Sequence, residues 1–180
     1  LRKVFVGSNS SSYEEIVGSS ETSIISNEFK ISFIKTFIQK YIDDNCPKAV
    51  VNLPRTSWAN DLIISLQENS QIRKILNRNL KIENFTGKNV SLKRKKEMLE
   101  ILSSESKIQD YNLSRIDIII ACSRMDEGVD WKLCSHVYNV RLPESPRQII
   151  QRWARAGRSK NKIKNYPDQH KDTQSITFFI

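Results

Sequence analysis

The sequence predicts an α/β domain: one parallel sheet forming the middle of three layers, with helices on both faces. Three observations carry that expectation. Short β-branched runs alternate along the chain with longer stretches whose apolar residues recur at helical spacing. The clearest run, RIDIIIACS at 115–123, is apolar at successive positions, the pattern of a strand buried on both sides. And 180 residues with 38% apolar content supply enough chain for one domain with a core, or one domain plus an arm.

The elements are read in order. KVFV at 3–6 is a strand, followed at 7–27 by a stretch rich in Ser and Asn that reads as a connector. Residues 1–27 are therefore assigned to a strand and linker arriving from a preceding domain, and 28–180 to the domain itself. From Glu28 to Asn45 the residues Ile34, Phe37, Ile38, Tyr41 and Ile42 recur at helical spacing. AVVNL is a short buried strand closed by Pro54, and Ser57 is placed to cap a helix over Trp58 to Gln67. IENFTG is a weak strand ending in a turn at Gly87, and SLKRKKEMLEILSS is a helix with Ser91 as its cap. HVYNVRL is a strand, Pro143 and Pro146 stop and restart the chain, RQIIQRWARAGRSK is a helix over 147–160, and SITFFI is the last strand. No internal repeat is present.

Composition narrows the function classes. A net charge of +9 favours polyanionic partners, nucleic acid or nucleotides. The three cysteines, Cys46, Cys122 and Cys134, are odd in number and far apart, which argues against a disulfide scaffold or a zinc site and for a reducing, cytoplasmic setting. No apolar run is long enough to span a bilayer. The chain starts with Leu1 and reads as a piece of something longer.

Two stretches stand beyond strand ends, where open α/β sheets bind ligands. The first is the helix at 147–160, which holds four arginines and no acid. At roughly 100° per residue, Gln151, Arg155 and Arg158 share one side, while Ile149 and Trp153 lie nearly opposite. Guanidinium forks match phosphate oxygens bidentately and keep their proton. This face fits a nucleotide phosphate, a nucleic-acid backbone or plain solvent. The second stretch, ACSRMDEGVD, places Gly128 where backbone can approach a ligand and Asp130 where a carboxylate can accept from a ribose hydroxyl.

Taken together, Cys122-x-x-x-x-x-Gly128-x-Asp130 after one strand and Gln151-Arg-x-x-Arg155-Ala-Gly-Arg158 after the next resemble motifs V and VI of superfamily 2 helicases. KAVVNLPRTSWANDLIISL is similar to motif IV, and FTGKNVSLKRKKEMLEIL to the Thr-Gly turn and basic helix that follow it. The resemblance implies the second, C-terminal RecA-like domain of such an enzyme. It implies that Arg155 and Arg158 are arginine fingers and that Gln151 lines the same site. Gly128, Asp130 and Glu127 would approach the nucleotide; Thr86, Gly87, Arg55, Thr56, Cys122 and Ser123 would contact nucleic acid. The chain departs from the family at Cys122, where Thr is usual, at Ala154, where Gly is usual, and at Asn52, where an aromatic is common. Trp58 and Trp153 are expected in the core.

None of the five glycines belongs to a Walker A loop, and in MDEG the acids stand four residues beyond the strand end, too far for a Walker B pair. ATP with Mg is accordingly expected mainly on a first RecA-like domain, and this chain alone is expected to be inactive. The implied partners are that domain and nucleic acid, DNA ranked ahead of RNA. A duplex translocase and a non-catalytic α/β nucleic-acid-binding module are the alternatives.

Overall fold

The computed structural model describes residues 2–4, 22–86, 92–122, 131–140, 160–171 and 175–179. Within them lie β1 (Arg2–Val4), α1 (Thr22–Asp43), β2 (Ala49–Leu53), α2 (Trp58–Glu68), α3 (Ser70–Leu76), β3 (Ile82–Asn84) and α4 (Leu92–Ser106). A 3₁₀ turn (Tyr111–Leu113), β4 (Ile118–Cys122), β5 (His136–Val140), α5 (Asp168–Lys171) and β6 (Ser175–Phe179) complete them. The six strands form one sheet in the order β1-β6-β5-β2-β4-β3. Every neighbouring pair is parallel. This is the three-layer class the sequence predicts.

Alternation along the strands divides the core into two. Ala49, Val51 and Leu53 of β2, Ile118 and Ile120 of β4 and Tyr138 of β5 face α1, α2 and α3. Val50, Ile119, Ala121 and Val137 point the other way, onto Leu102 of α4 and onto Trp131, Leu133 and Tyr166. On the first face α1 supplies an aromatic ridge at every fourth residue. Phe33 meets Phe179 edge-on at 5.2 Å and Phe37 meets Tyr138 at 5.1 Å. Each such ring contributes about 1.5–3 kcal/mol on burial.

Helix α1 starts at Thr22, inside the stretch read as connector, and β1 pairs with β6 in the same sheet rather than standing apart from it. The helix ends where Asn45 and Cys46 turn left-handed, with φ of 59° and 49°. The amide of Cys46 donates back to the carbonyl of Tyr41 at 2.9 Å, which closes the last turn ahead of Pro47.

Ser57 does not cap α2 through its side chain; it has helical dihedrals and makes no cap hydrogen bond. The reason is local. The amides of Trp58 and Ala59 are already taken by the carbonyls of Arg55 and Thr56, at 3.3 and 3.2 Å. A helix the sequence reading passed over, α3, is capped by Asn69, whose Oδ1 accepts from the Ile72 amide at 3.0 Å. It ends at Asn77 in the left-handed region. The proposed caps at Ser91 and the turn at Gly87 lie outside the described residues, as does the helix expected over 147–160, except Lys160.

The amino ends of the central strands are pinned by a buried charge cluster. Asp117, just before β4, receives both Arg78 nitrogens, at 2.6 and 2.7 Å, and the Lys81 amide at 2.9 Å. Lys48, just before β2, donates to the Ile116 carbonyl at 2.6 Å and to Asp117 Oδ1 at 3.2 Å. Its ammonium lies 4.7 Å from the Tyr111 ring centroid. Burial pushes the Asp117 carboxyl up, but the bonds from Arg78, the Lys48 charge and the Lys81 amide together hold it below the usual range. For Arg78 the bond to Asp117 comes first and raises it, against partial burial.

A carboxyl depressed in the folded state contributes stability that is complete above about pH 4 and drains as pH falls through the lower folded value. Asp117→Ala leaves the buried Lys48 ammonium without its carboxylate and removes the acceptor of the more exposed Arg78, and is expected to cost about 3 kcal/mol at neutral pH. Denaturant titration of the protein checks this, and the difference from wild type should shrink progressively below about pH 4.

Candidate functional site at the carboxyl edge

Because all six strands run the same way, their carboxyl ends share one edge. Leu53, Asn84, Cys122, Val140 and Phe179 are the last residues of β2 to β6 in turn. The sheet order places β2 between β4 and β5. Leu53 is in register with Cys122, and Asn52 with both Ala121 and Asn139. The chain therefore leaves β4 and β5 on either side of the point where it leaves β2. After β2 it has been built outward through β3 and back to β4; after β5 it moves in the opposite direction to β6. That reversal of direction is where doubly wound sheets bind ligands.

Three described segments furnish this edge. After β2, Arg55 is exposed and Thr56 half-buried in the turn that opens α2. Trp58 anchors that turn from below: it is 5% exposed and packs on Phe29 and Phe33, with centroids 5.9 and 6.0 Å away. It belongs to the core, as expected, and offers no stacking platform. After β3, the Phe85 amide donates to the Ile120 carbonyl at 2.8 Å, extending the ladder one step. Thr86 then folds back onto Asn84, its amide and its hydroxyl both donating to Asn84 Oδ1, at 2.9 and 2.6 Å. This Asx turn fixes Thr86 at half-buried exposure. At the end of β4, Cys122 is half-buried and forms no disulfide.

So the structure brings Arg55, Thr56, Thr86 and Cys122 to one edge. Gly87, Ser123, Glu127, Gly128, Asp130, Gln151, Arg155 and Arg158 lie outside the described residues. What flanks them is described. Trp131, directly after Asp130, is 2% exposed and packs beside Leu133 and Val137. Beyond the arginine stretch Lys160 is buried, and its carbonyl accepts from Ile163. Asn165 donates to Asp110, and Tyr166 donates to the Leu133 carbonyl at 2.9 Å.

One feature escapes the sequence reading. Asn52 Nδ2 donates to Asn139 Oδ1 across β2 and β5 at 2.8 Å, with both side chains buried. The departure at Asn52 from an aromatic is visible in the sequence, but the matching amide stands 87 residues away. Pairing it required the register.

At this edge the Arg55 guanidinium has the chemistry of a phosphate ligand, whereas the amides of Phe85 and Thr86 and the Thr86 hydroxyl donate within the fold. Among the described residues no group of three or more His, Cys, Asp or Glu could hold a metal. Nor is any described helix long and apolar enough to cross a membrane. Burial pushes the Cys46 thiol up to about 12, with Asp117 adding to the effect, so that cysteine is unreactive at neutral pH.

Comparison with known proteins agrees with this geometry. Residues 46–160 match the family model for the helicase conserved C-terminal domain. Over 89 residues, 48% of this chain, the sequence is 31% identical to Dicer-like protein 2 of Coccidioides immitis (strain RS), of which it spans 6%. The C-terminal domain of S. cerevisiae Dbp5 L327V, solved bound to Gle1 H337R and IP6, superimposes with a TM-score of 0.53 at 14% identity. That match covers 84% of this chain and 70% of that one. Mycobacterium smegmatis helicase Lhr, solved bound to ssDNA and AMP-PNP, gives 0.54 at 19% identity, covering 84% of this chain and 17% of that one. These structural likenesses show the RecA-like fold. The chain thus spans a small part of the curated relative it matches.

The Asx turn gives a local expectation. Asn84→Ala removes the acceptor of the Thr86 amide, worth about 1 kcal/mol. Hydrogen exchange at Thr86 should accelerate about fivefold, from that 1 kcal/mol, while exchange at Phe85, bonded to Ile120, stays as in wild type.

Proposed function

The chain belongs to the helicase conserved C-terminal domain family, as the second RecA-like domain of a superfamily 2 helicase, and from that premise we propose that it works as the arginine-bearing lobe of an ATP-driven nucleic-acid motor. ATP with Mg sits mainly on a first RecA-like domain, and residues 28–180 form the lobe that closes on it. Arg155 and Arg158 reach the γ-phosphate, and Gln151 lines the same cleft. Gly128, Glu127 and Asp130 approach the ribose and phosphates. Arg55, Thr56, Thr86, Gly87, Cys122 and Ser123 grip the nucleic-acid backbone, DNA ahead of RNA. The buried, unbridged Cys46 and Cys134 fit a reducing, cytoplasmic setting.

The observation that carries this reading is the sheet order. It puts the ends of β4 and β5, which lead into the two arginine- and glycine-bearing stretches, on either side of the β2 exit. The physical need is clear. Phosphoryl transfer is accelerated mainly by fixed positive charge at the equatorial oxygens, and such charge is best supplied by guanidinium. An arginine without an acidic neighbour is free to be that charge; between Glu144 and Asp168 the sequence holds no carboxylate. Bound nucleotide then joins the lobes, and its loss lets them part, so that phosphate grips alternate along a strand.

In the protein carrying both lobes, Arg155→Ala is expected to lower the ATPase kcat by about 10³- to 10⁵-fold. The KM for ATP should change little. Retained hydrolysis would reject the finger role. If the chain were instead a non-catalytic binding module, the same change would weaken nucleic-acid affinity and lower its salt dependence. Arg55→Ala should do that in either case: affinity falls uniformly across sequences and the salt slope drops by about 1. An unchanged slope removes Arg55 from the interface.

A further inference from the structure

On the α4 side of the sheet, the row nearest the carboxyl edge reads Ala121, Asn52, Asn139, Phe178 across β4, β2, β5 and β6. The row beneath it is Ile119, Val50, Val137, Ile176. Two amides thus replace β-branched residues in a layer that is otherwise apolar and buried. Each amide stands directly before the last residue of its strand, Leu53 or Val140. Burying such groups is costly unless they bond to each other, which Asn52 and Asn139 do at 2.8 Å.

A valine pair would pack here without that requirement, as Val50 and Val137 do one row below. What the amides add is direction. A hydrogen bond between β2 and β5 holds one register and one rotamer at each end, where apolar contacts tolerate sliding. It is the last described side-chain link between the two strands before both leave the sheet. Two residues beyond the end of β2 stands Arg55; beyond β5 runs the stretch that carries Gln151, Arg155 and Arg158.

We propose that the Asn52–Asn139 bond is a positioning element that couples the β2 exit loop, which grips nucleic acid, to the β5 exit, which serves the nucleotide. The inference rests on the motor reading above. When nucleic acid draws on the Arg55 turn, the amide bond carries the shift of β2 to β5, and the arginine stretch is set for hydrolysis. The bond takes no part in the chemistry, so basal turnover does not need it. Stimulation by nucleic acid does.

The test uses the protein with both lobes and replaces both amides, Asn52→Val with Asn139→Val, matching the row below. Replacing both partners removes the pair together instead of leaving one amide facing an apolar side chain, so the melting temperature should stay near wild type. ATPase is measured without polymer and with saturating single-stranded DNA or single-stranded RNA, each assayed separately. The unstimulated kcat is expected within about twofold of wild type, and stimulation reduced about 3- to 30-fold. Nucleic-acid affinity should be nearly unchanged. If the double valine protein folds poorly, Asn52→Leu with Asn139→Leu keeps the γ-branched shape of asparagine and is read in the same way. Full stimulation in a folded double variant overturns the coupling role alone. A wild-type protein whose ATPase ignores both polymers overturns the motor reading, and the coupling role with it.

Discussion

Everything in this structure depends on β2 being held, in parallel register, between β4 and β5. The hydrogen-bonded ladder on its two sides fixes which residues end level with one another: Leu53 with Cys122, and Asn52 with Asn139. Parallel strands cannot be joined by tight turns, so the chain must cross back before each next strand and each strand end opens onto the same edge. The edge is a consequence of topology, and the residues there inherit their proximity from it.

The two ends of the sheet are built differently. At the amino ends, Lys48, Arg78 and Asp117 tie the starts of β2, β3 and β4 together with bonds of 2.6 to 3.2 Å, around the buried Lys48 and Asp117. A buried cluster of this kind contributes little net stability but penalises any other arrangement heavily. At the carboxyl ends the described residues show an Asx turn at Thr86, an amide pair, and a turn resting on Trp58.

Much of this architecture can be read from residue order. Ile118–Ile120, AVVNL and HVYNV lie where the β-branched pattern puts them, because a strand buried on two faces admits few other residues. Helix α1 was foreseen over its apolar stripe but not over Thr22 to Asn27, where Ser, Ile and Asn give no clear period. The seven residues of helix α3 carry too little periodicity to be told from a loop; Asn69 and Asn77 at its ends are the signals the sequence holds. Ser57 has the residue type of a cap, but the carbonyls of Arg55 and Thr56 in the preceding turn already take the Trp58 and Ala59 amides. The site divides similarly. Arg55, Thr56, Thr86 and Cys122 were singled out by the family pattern, and they do share an edge. The Asn52–Asn139 pair was beyond reach, since a contact across 87 residues is set by register rather than by local chemistry.

The most direct measurement is a structure of the two-lobed protein with nucleic acid and a non-hydrolysable ATP analogue. The account predicts the guanidinium nitrogens of Arg155 and Arg158 at about 2.7–2.9 Å from the terminal phosphate oxygens, the spacing of charge-assisted bonds. Both arginines paired instead with carboxylates of this chain, and terminal phosphate oxygens contacted only by the first lobe, would contradict it.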